Sequence, residues 1–326
     1  MATSEMLQEL IRAHVSGDSE RFRKIAMQVA AREARSGHRL VASRIRDLLE
    51  EQPADVAASP SPTPIATPPR DLRAVLDVRY PNETLDEVVL GPEPSKVIAR
   101  VLAEQRGASE LATWGLVPRR RLLFHGPPGC GKTITAAALA HELSLPLLRV
   151  RVEVLFSRYM GETSAVLDAI FAQAVRQRGV YLFDEFDALG KQRADSNDVG
   201  EARRILSSFL QLLDSDESSS VLIAATNEPG FLDSALIRRF DDVAEFALPG
   251  EQAISRLLQI VTASYSLKPD DLEGLARECV GMSFADVHRA VIDAVKAMVL
   301  DGRQKLRPAD LRQAIGEFRD RRPFGT

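Results

Sequence analysis

Gly126-Pro127-Pro128-Gly129-Cys130-Gly131-Lys132-Thr133 places three glycines, a lysine and a hydroxyl residue within eight positions. Glycines permit a tight loop, and the backbone N–H groups of that loop, together with a following helix N-terminus, face anions. At this spacing the loop cradles the phosphates of a nucleotide, Lys132 reaches the β/γ oxygens and Thr133 ligates Mg²⁺. The apolar run Leu122-Leu123-Phe124-His125 leads directly into it, and Ile134 opens an alanine-rich stretch after it. Strand, loop and helix in that order are the context the motif requires.

A second chemical pair follows Val180-Tyr181-Leu182-Phe183, which ends in Asp184-Glu185. An apolar run followed by two acids is ordinarily a solvated strand end. Downstream of a phosphate loop, Asp184 is expected to hold Mg²⁺ through water and Glu185 to polarise the attacking water. Val221 to Thr226 is another apolar run, ending in Asn227, an amide able to position water and sense the γ-phosphate. Arg238 and Arg239 follow in Leu232-Asp-Ser-Ala-Leu-Ile-Arg-Arg-Phe240. A planar, always-charged guanidinium suits the dispersed charge of a phosphoryl transition state.

These residues need elements to carry them. Leu122 to His125, Leu147 to Val152, Val180 to Phe183, Val221 to Ala225 and Val243 to Phe246 are short apolar runs separated by helical stretches. That alternation predicts a parallel sheet covered on both faces. Beyond Pro249 four helical segments follow, near Gln252 to Ser264, Pro269 to Cys279, Ser283 to Leu300 and Pro308 to Phe318, and predict an all-helical lid. Residues 1–52 carry helical periodicity in Met6, Leu7, Leu10, Ile11 and in Phe22, Ile25, Ala26, Val29, Ala30, which predicts a small bundle able to recruit an adaptor or effector. Residues 53–70 hold six prolines among Ser, Thr and Ala and read as an extended tether. The expected organisation is α/β: helical bundle 1–52, linker 53–70, P-loop nucleotide-binding sheet 71–250 and helical lid 251–326.

Over 326 residues the chain is 45% hydrophobic and 27% charged, as expected of a soluble globular protein. A net charge of −4 gives no basic footprint for nucleic acid. The cysteines are Cys130 and Cys279, no signal peptide opens the chain and no run is long enough to span a bilayer, so a reducing cytoplasm is the expected location, without a membrane partner. Arginine outnumbers lysine, the compositional mark of a GC-rich bacterial genome.

As an ordered set, the phosphate loop, Phe183-Asp-Glu-Phe-Asp-Ala-Leu189, Ala225-Thr-Asn227 and the segment ending Arg238-Arg239-Phe240 resemble the AAA+ superfamily over residues 83–319. Within its AAA clade proper, the likeness is greatest to the protein-remodelling group of katanin, spastin and the ESCRT-disassembling ATPase. The resemblance implies ATP and Mg²⁺, a homohexameric ring, and Arg238 and Arg239 reaching into the neighbouring subunit's site. Ser157-Arg-Tyr-Met-Gly-Glu162 resembles the first pore loop, with Tyr159 and Met160 gripping a threaded protein client. A second pore loop is implied between Arg193 and Arg204. Gly281-Met-Ser-Phe-Ala-Asp286 resembles the lid motif that contacts nucleotide, Ala285 standing where other AAA+ branches place an arginine.

There are departures from the pattern. Phe284 replaces a glycine, and Cys130 a common threonine; alkylation at Cys130 is expected to block nucleotide. The ending Arg321 to Thr326 lacks the hydrophobic-tyrosine signal used to dock on proteasome-like chambers. The function implied is a client-threading ATPase. The alternatives are a nucleotide-switched scaffold for a partner enzyme or defence system and, against the acidic balance, a nucleic-acid-dependent ATPase.

Overall fold

A computed structural model describes residues 25–26, 29, 72–152, 154–155, 163–187, 199–228, 234–265 and 267–320. The chain divides into two compact units, Met1–Pro62 and Thr63–Thr326. In the first unit the described residues Ile25, Ala26 and Val29 are helical and buried.

The second unit is built on strands β1 (Leu76–Arg79), β2 (Arg121–His125), β3 (Leu147–Arg151), β4 (Val180–Asp184), β5 (Val221–Thr226) and β6 (Asp242–Glu245). Their order across the sheet is β1-β3-β4-β5-β2-β6. All pairings are parallel except that of β1 with β3. The sequence reading found the five parallel strands and missed this antiparallel edge, because Leu76-Asp-Val-Arg is short and alternates apolar with charged residues.

Helices α1 (Pro92–Arg106), α2 (Ala108–Thr113), α3 (Lys132–Glu142), α4 (Thr163–Arg176), α5 (Val199–Ser215) and α6 (Ser234–Ile237) connect the strands. Successive strand side chains point to opposite faces. Accordingly Leu123, Leu148, Val150, Tyr181, Phe183, Leu222 and Ala224 join α4 and α5 in one core. Leu122, Phe124, Leu147, Val180, Leu182, Val221, Ile223 and Ala225 join α1 and α3 in the other. Burial on both faces is why the central strands β4 and β5 are apolar almost throughout. In the first core Phe171, Phe183, Phe186 and Phe209 make ring contacts with centroids 4.8–5.9 Å apart. In the second, Ala136, Ala137 and Ala140 are fully enclosed beside Leu139, and the small alanine side chains let α3 lie close against the sheet.

After β6 come α7 (Glu251–Thr262), α8 (Pro269–Glu278), α9 (Phe284–Leu300) and α10 (Pro308–Asp320). They share a separate core that includes Leu258, Leu275, Val291, Leu311 and Ile315. Ser283 caps α9: its hydroxyl accepts the Asp286 N–H at 3.3 Å while the Asp286 carboxylate accepts the Ser283 N–H at 3.1 Å. This reciprocal pair satisfies free donors of the first turn and fixes where α9 begins.

Candidate functional site

Strands β4, β5 and β2 are adjacent and parallel, so the segments leaving their C-terminal ends are brought together by the sheet itself. These segments are Asp184-Glu185, Asn227 and the loop 126–131. Open parallel sheets bind ligands outside the carboxyl ends of their strands.

The loop needs glycine at two of its turns. Gly126 has φ 135°, and a Cβ there would lie 2.1 Å from the Phe246 carbonyl oxygen; Gly129 has φ 76°, and a Cβ would lie 2.5 Å from Ser283 Oγ. The loop then ends at Gly131, which starts α3, and Lys132 folds back over it. Its ammonium donates to the carbonyls of Gly126 at 2.6 Å and Pro127 at 2.9 Å. Burial pulls the Lys132 ammonium below its ordinary lysine value, against the opposing influence of Cys130, Asp184 and Asp187. A buried cation of this kind gains most from an anionic partner.

The Thr133 hydroxyl donates to Asp184 Oδ2 at 3.0 Å. The Glu185 N–H donates to Asp184 Oδ1 at 3.1 Å, and Glu185 itself stands at φ 56°, left-handed backbone unusual for a residue with a side chain. This turn swings the Glu185 side chain out of the strand register and leaves it exposed beside the buried Asp184. The Asn227 N–H donates to Asp187 Oδ1 at 3.2 Å. Asp187, only 3% exposed, also accepts the Thr226 hydroxyl at 3.4 Å, tying the turn after β4 to the end of β5.

Pro128, Gly129, Gly131, Lys132, Thr133, Ile134, Asp184, Glu185, Asn227 and Ala285 all line one cavity of about 820 Å³. That size lies in the range of pockets that enclose a drug-sized ligand. The donors fit a nucleotide with a hard cation: a glycine-shaped cradle, a buried ammonium, and hydroxyl and carboxylate oxygens of the kind Mg²⁺ prefers. Among the described residues no group of three or more His, Cys, Asp or Glu is placed to hold a metal. The Thr133 hydroxyl and the Asp184 carboxylate, together with the phosphates, would hold such a cation.

The lid forms part of the wall. The Ala285 N–H donates to the Gly129 carbonyl at 3.1 Å, joining α9 directly to the phosphate loop. Phe284, Ala285, His288, Arg289, Ile292 and Lys296 present one helical face of α9 to the cavity, which Glu87 to Val89 also line. Of the sequence candidates, Gly126, Pro127, Cys130 and Gly281 do not line it. Cys130 instead lines an adjoining cavity of about 270 Å³, shared with Phe284 and Phe246. Burial raises its thiol above the ordinary cysteine value, with Lys132 opposing and Asp286 reinforcing the shift. Gly281, at φ 90°, turns the chain before α9.

Arg238 and Arg239 also lie outside the cavity. Arg239 Nε donates to Asp214 on α5 at 2.8 Å, whereas Arg238 is exposed and has no ion pair among the described residues. Tyr159, Met160 and residues 193–198 of the expected second pore loop lie outside the described residues. Sequence reasoning did not single out Asp187, Arg149 or the α9 face. Signals existed in the acid closing Phe183 to Asp187, the one charge within Leu147 to Val150, and helical spacing from Ala285 to Lys296.

The fold and site define a P-loop nucleotide-binding protein. Residues 122–248 match the family described as "ATPase family associated with various cellular activities (AAA)". The chain is 34% identical over 323 residues to an uncharacterized AAA family ATPase, y4kL, of Sinorhizobium fredii, covering 99% of this chain and 97% of that one. It is 36% identical over 209 residues to a proteasome-activating nucleotidase of Thermococcus onnurineus, covering 62% of this chain and 52% of that one. With an ATP-dependent zinc metalloprotease, FtsH 3, of Sphaerobacter thermophilus it shares 32% identity over 248 residues, 74% of this chain and 51% of that one. The chain thus spans about half the length of the latter two. The chain belongs to the AAA family of ATPases.

Proposed function

We propose that this protein hydrolyses Mg-ATP in a homohexameric ring and uses the energy to unfold or disassemble protein clients drawn through the central pore. The observation that carries the reading is a separation. Lys132, Thr133, Asp184, Glu185 and Asn227 meet at one cavity, while Arg238 projects from the same unit without a partner among the described residues. Arg238 lies outside that cavity and is exposed, so a second copy in a head-to-tail ring would bring it to the neighbouring phosphate site as the transition-state arginine. The relatives named as a nucleotidase that activates a proteasome and as an ATP-dependent metalloprotease support a protein client. The likeness to the katanin and spastin group belongs to this reading, as do the lid and linker boundaries and a cytoplasmic location. Among the described residues no helix is long and apolar enough to cross a membrane.

In this mechanism the nucleotide supplies the phosphoanhydride bond and Mg²⁺ the counter-charge. The N–H groups of the loop and the Lys132 ammonium hold phosphate oxygens. Thr133 and Asp184 would hold the cation, Glu185 accepts the proton of the attacking water, and Asn227 orients that water. Arg238 of the next copy neutralises charge on the transferring phosphoryl group, worth about 10³ to 10⁵ in rate, or roughly 4–7 kcal/mol. Arg239, held by Asp214, positions the turn that carries it.

The test is turnover with and without an unstructured polypeptide. Tyr159→Ala is expected to abolish stimulation by the polypeptide and leave basal hydrolysis near wild type. Unaltered stimulation in that variant would rule out threading by Tyr159.

A further inference from the structure

Asp184 uses both carboxylate oxygens. Oδ1 accepts the Glu185 N–H at 3.1 Å, whereas Oδ2 accepts the Thr133 hydroxyl at 3.0 Å and lies 2.8 Å from a terminal nitrogen of Arg149. Arg149 comes from β3, in register with Leu182 of β4, and its side chain reaches along the sheet edge into the cavity that Lys132 and Thr133 line. The Asp184 side chain is 10% exposed and that of Arg149 is 46% exposed. One end of the pair is thus buried in the site and the other is half exposed to solvent.

The carboxylate that Arg149 holds and the Thr133 hydroxyl beside it are the groups that would hold a hard divalent cation. A guanidinium cannot ligate a metal, and two cations beside one carboxylate oxygen repel each other. We propose that Arg149 is a positioning residue that competes with the divalent cation for Asp184 and so sets the Mg²⁺ concentration at which the site engages metal and nucleotide together. The inference rests on the nucleotide-site reading above. It assigns Arg149 a role distinct from Lys132: Lys132 is bonded to the loop carbonyls, while Arg149 is bonded to the metal-side carboxylate.

A half-exposed ion pair resists displacement by a factor of roughly 2 to 5, and salt weakens it. The test titrates Mg²⁺ into the full chain with a fluorescent ATP analogue and reads nucleotide binding, not turnover. Arg149→Gln is expected to lower the Mg²⁺ midpoint roughly 2- to 5-fold, and the difference from wild type is expected to shrink at high ionic strength. Arg149→Lys, which keeps the charge, is expected to stay between the two. Thermal unfolding in EDTA checks that each variant is folded. A midpoint in Arg149→Gln that is unchanged or raised overturns the proposal alone. Absence of nucleotide binding by the wild type at every Mg²⁺ concentration overturns the nucleotide reading and this proposal with it.

Discussion

Glu185 stands where β4 ends, in left-handed backbone at φ 56° that an isolated glutamate would avoid. Strain of this kind persists where surrounding structure over-determines it; here the Phe186 N–H donates to the Ala225 carbonyl at 2.8 Å and Asp187 binds the Asn227 N–H. Glu185→Gln keeps this scaffold and removes only the proposed base. Phosphate release is expected to fall about 10²- to 10⁴-fold while nucleotide affinity stays near wild type, measured by steady-state assay and equilibrium binding. The two arginines are not equivalent. Arg238→Ala is expected to remove most turnover, and Asp214→Asn, which frees Arg239 to move, is expected to cost less. Equal losses in the two variants would contradict this division of labour. Cys130 gives a pH-dependent probe. Burial raises its thiol, so less thiolate is present at neutral pH than in an ordinary cysteine. Alkylation is expected to be slow at pH 7, to accelerate about tenfold per pH unit as pH rises toward the raised value, and to be slowed by bound nucleotide.

At the scale of elements, α9 is the part of the lid that touches the site. Its start is fixed by the capping pair of Ser283 and Asp286, and its first turn donates to Gly129. Ser283→Ala is expected to cost about 1 kcal/mol, seen as a Tm lower by about 2–4 °C, and to weaken nucleotide binding by loosening that turn. Strands β2, β4 and β5 were legible in the sequence as nearly continuous apolar runs buried on both faces, and β3 and β6 as shorter apolar runs at the same spacing. The lid helices were legible from helical spacing, with ends displaced by a residue or two where local caps decide the boundary. β1 was not, since an edge strand half open to solvent carries charges that read as loop. The phosphate loop, Asp184, Glu185 and Asn227 were legible because each follows a strand in a fixed local pattern. Arg149 and Asp187 were not, because their partners come from other strands, and which carboxylate a strand arginine meets depends on the register of β3 with β4.

At the scale of the molecule, one chain gathers Lys132, Thr133, Asp184, Glu185 and Asn227 at one cavity and displays Arg238 away from it. In the proposed ring, identical copies would join the two at every interface. The most direct test mixes two inactive variants, Glu185→Gln, which keeps Arg238, and Arg238→Ala, which keeps Glu185. If the arginine acts across the subunit boundary, one interface in four of a random equal mixture pairs an intact base with an intact arginine. Turnover should then recover to about a quarter of the wild-type rate. A mixture no more active than its components, under conditions where both variants are shown to co-assemble, would contradict the shared site.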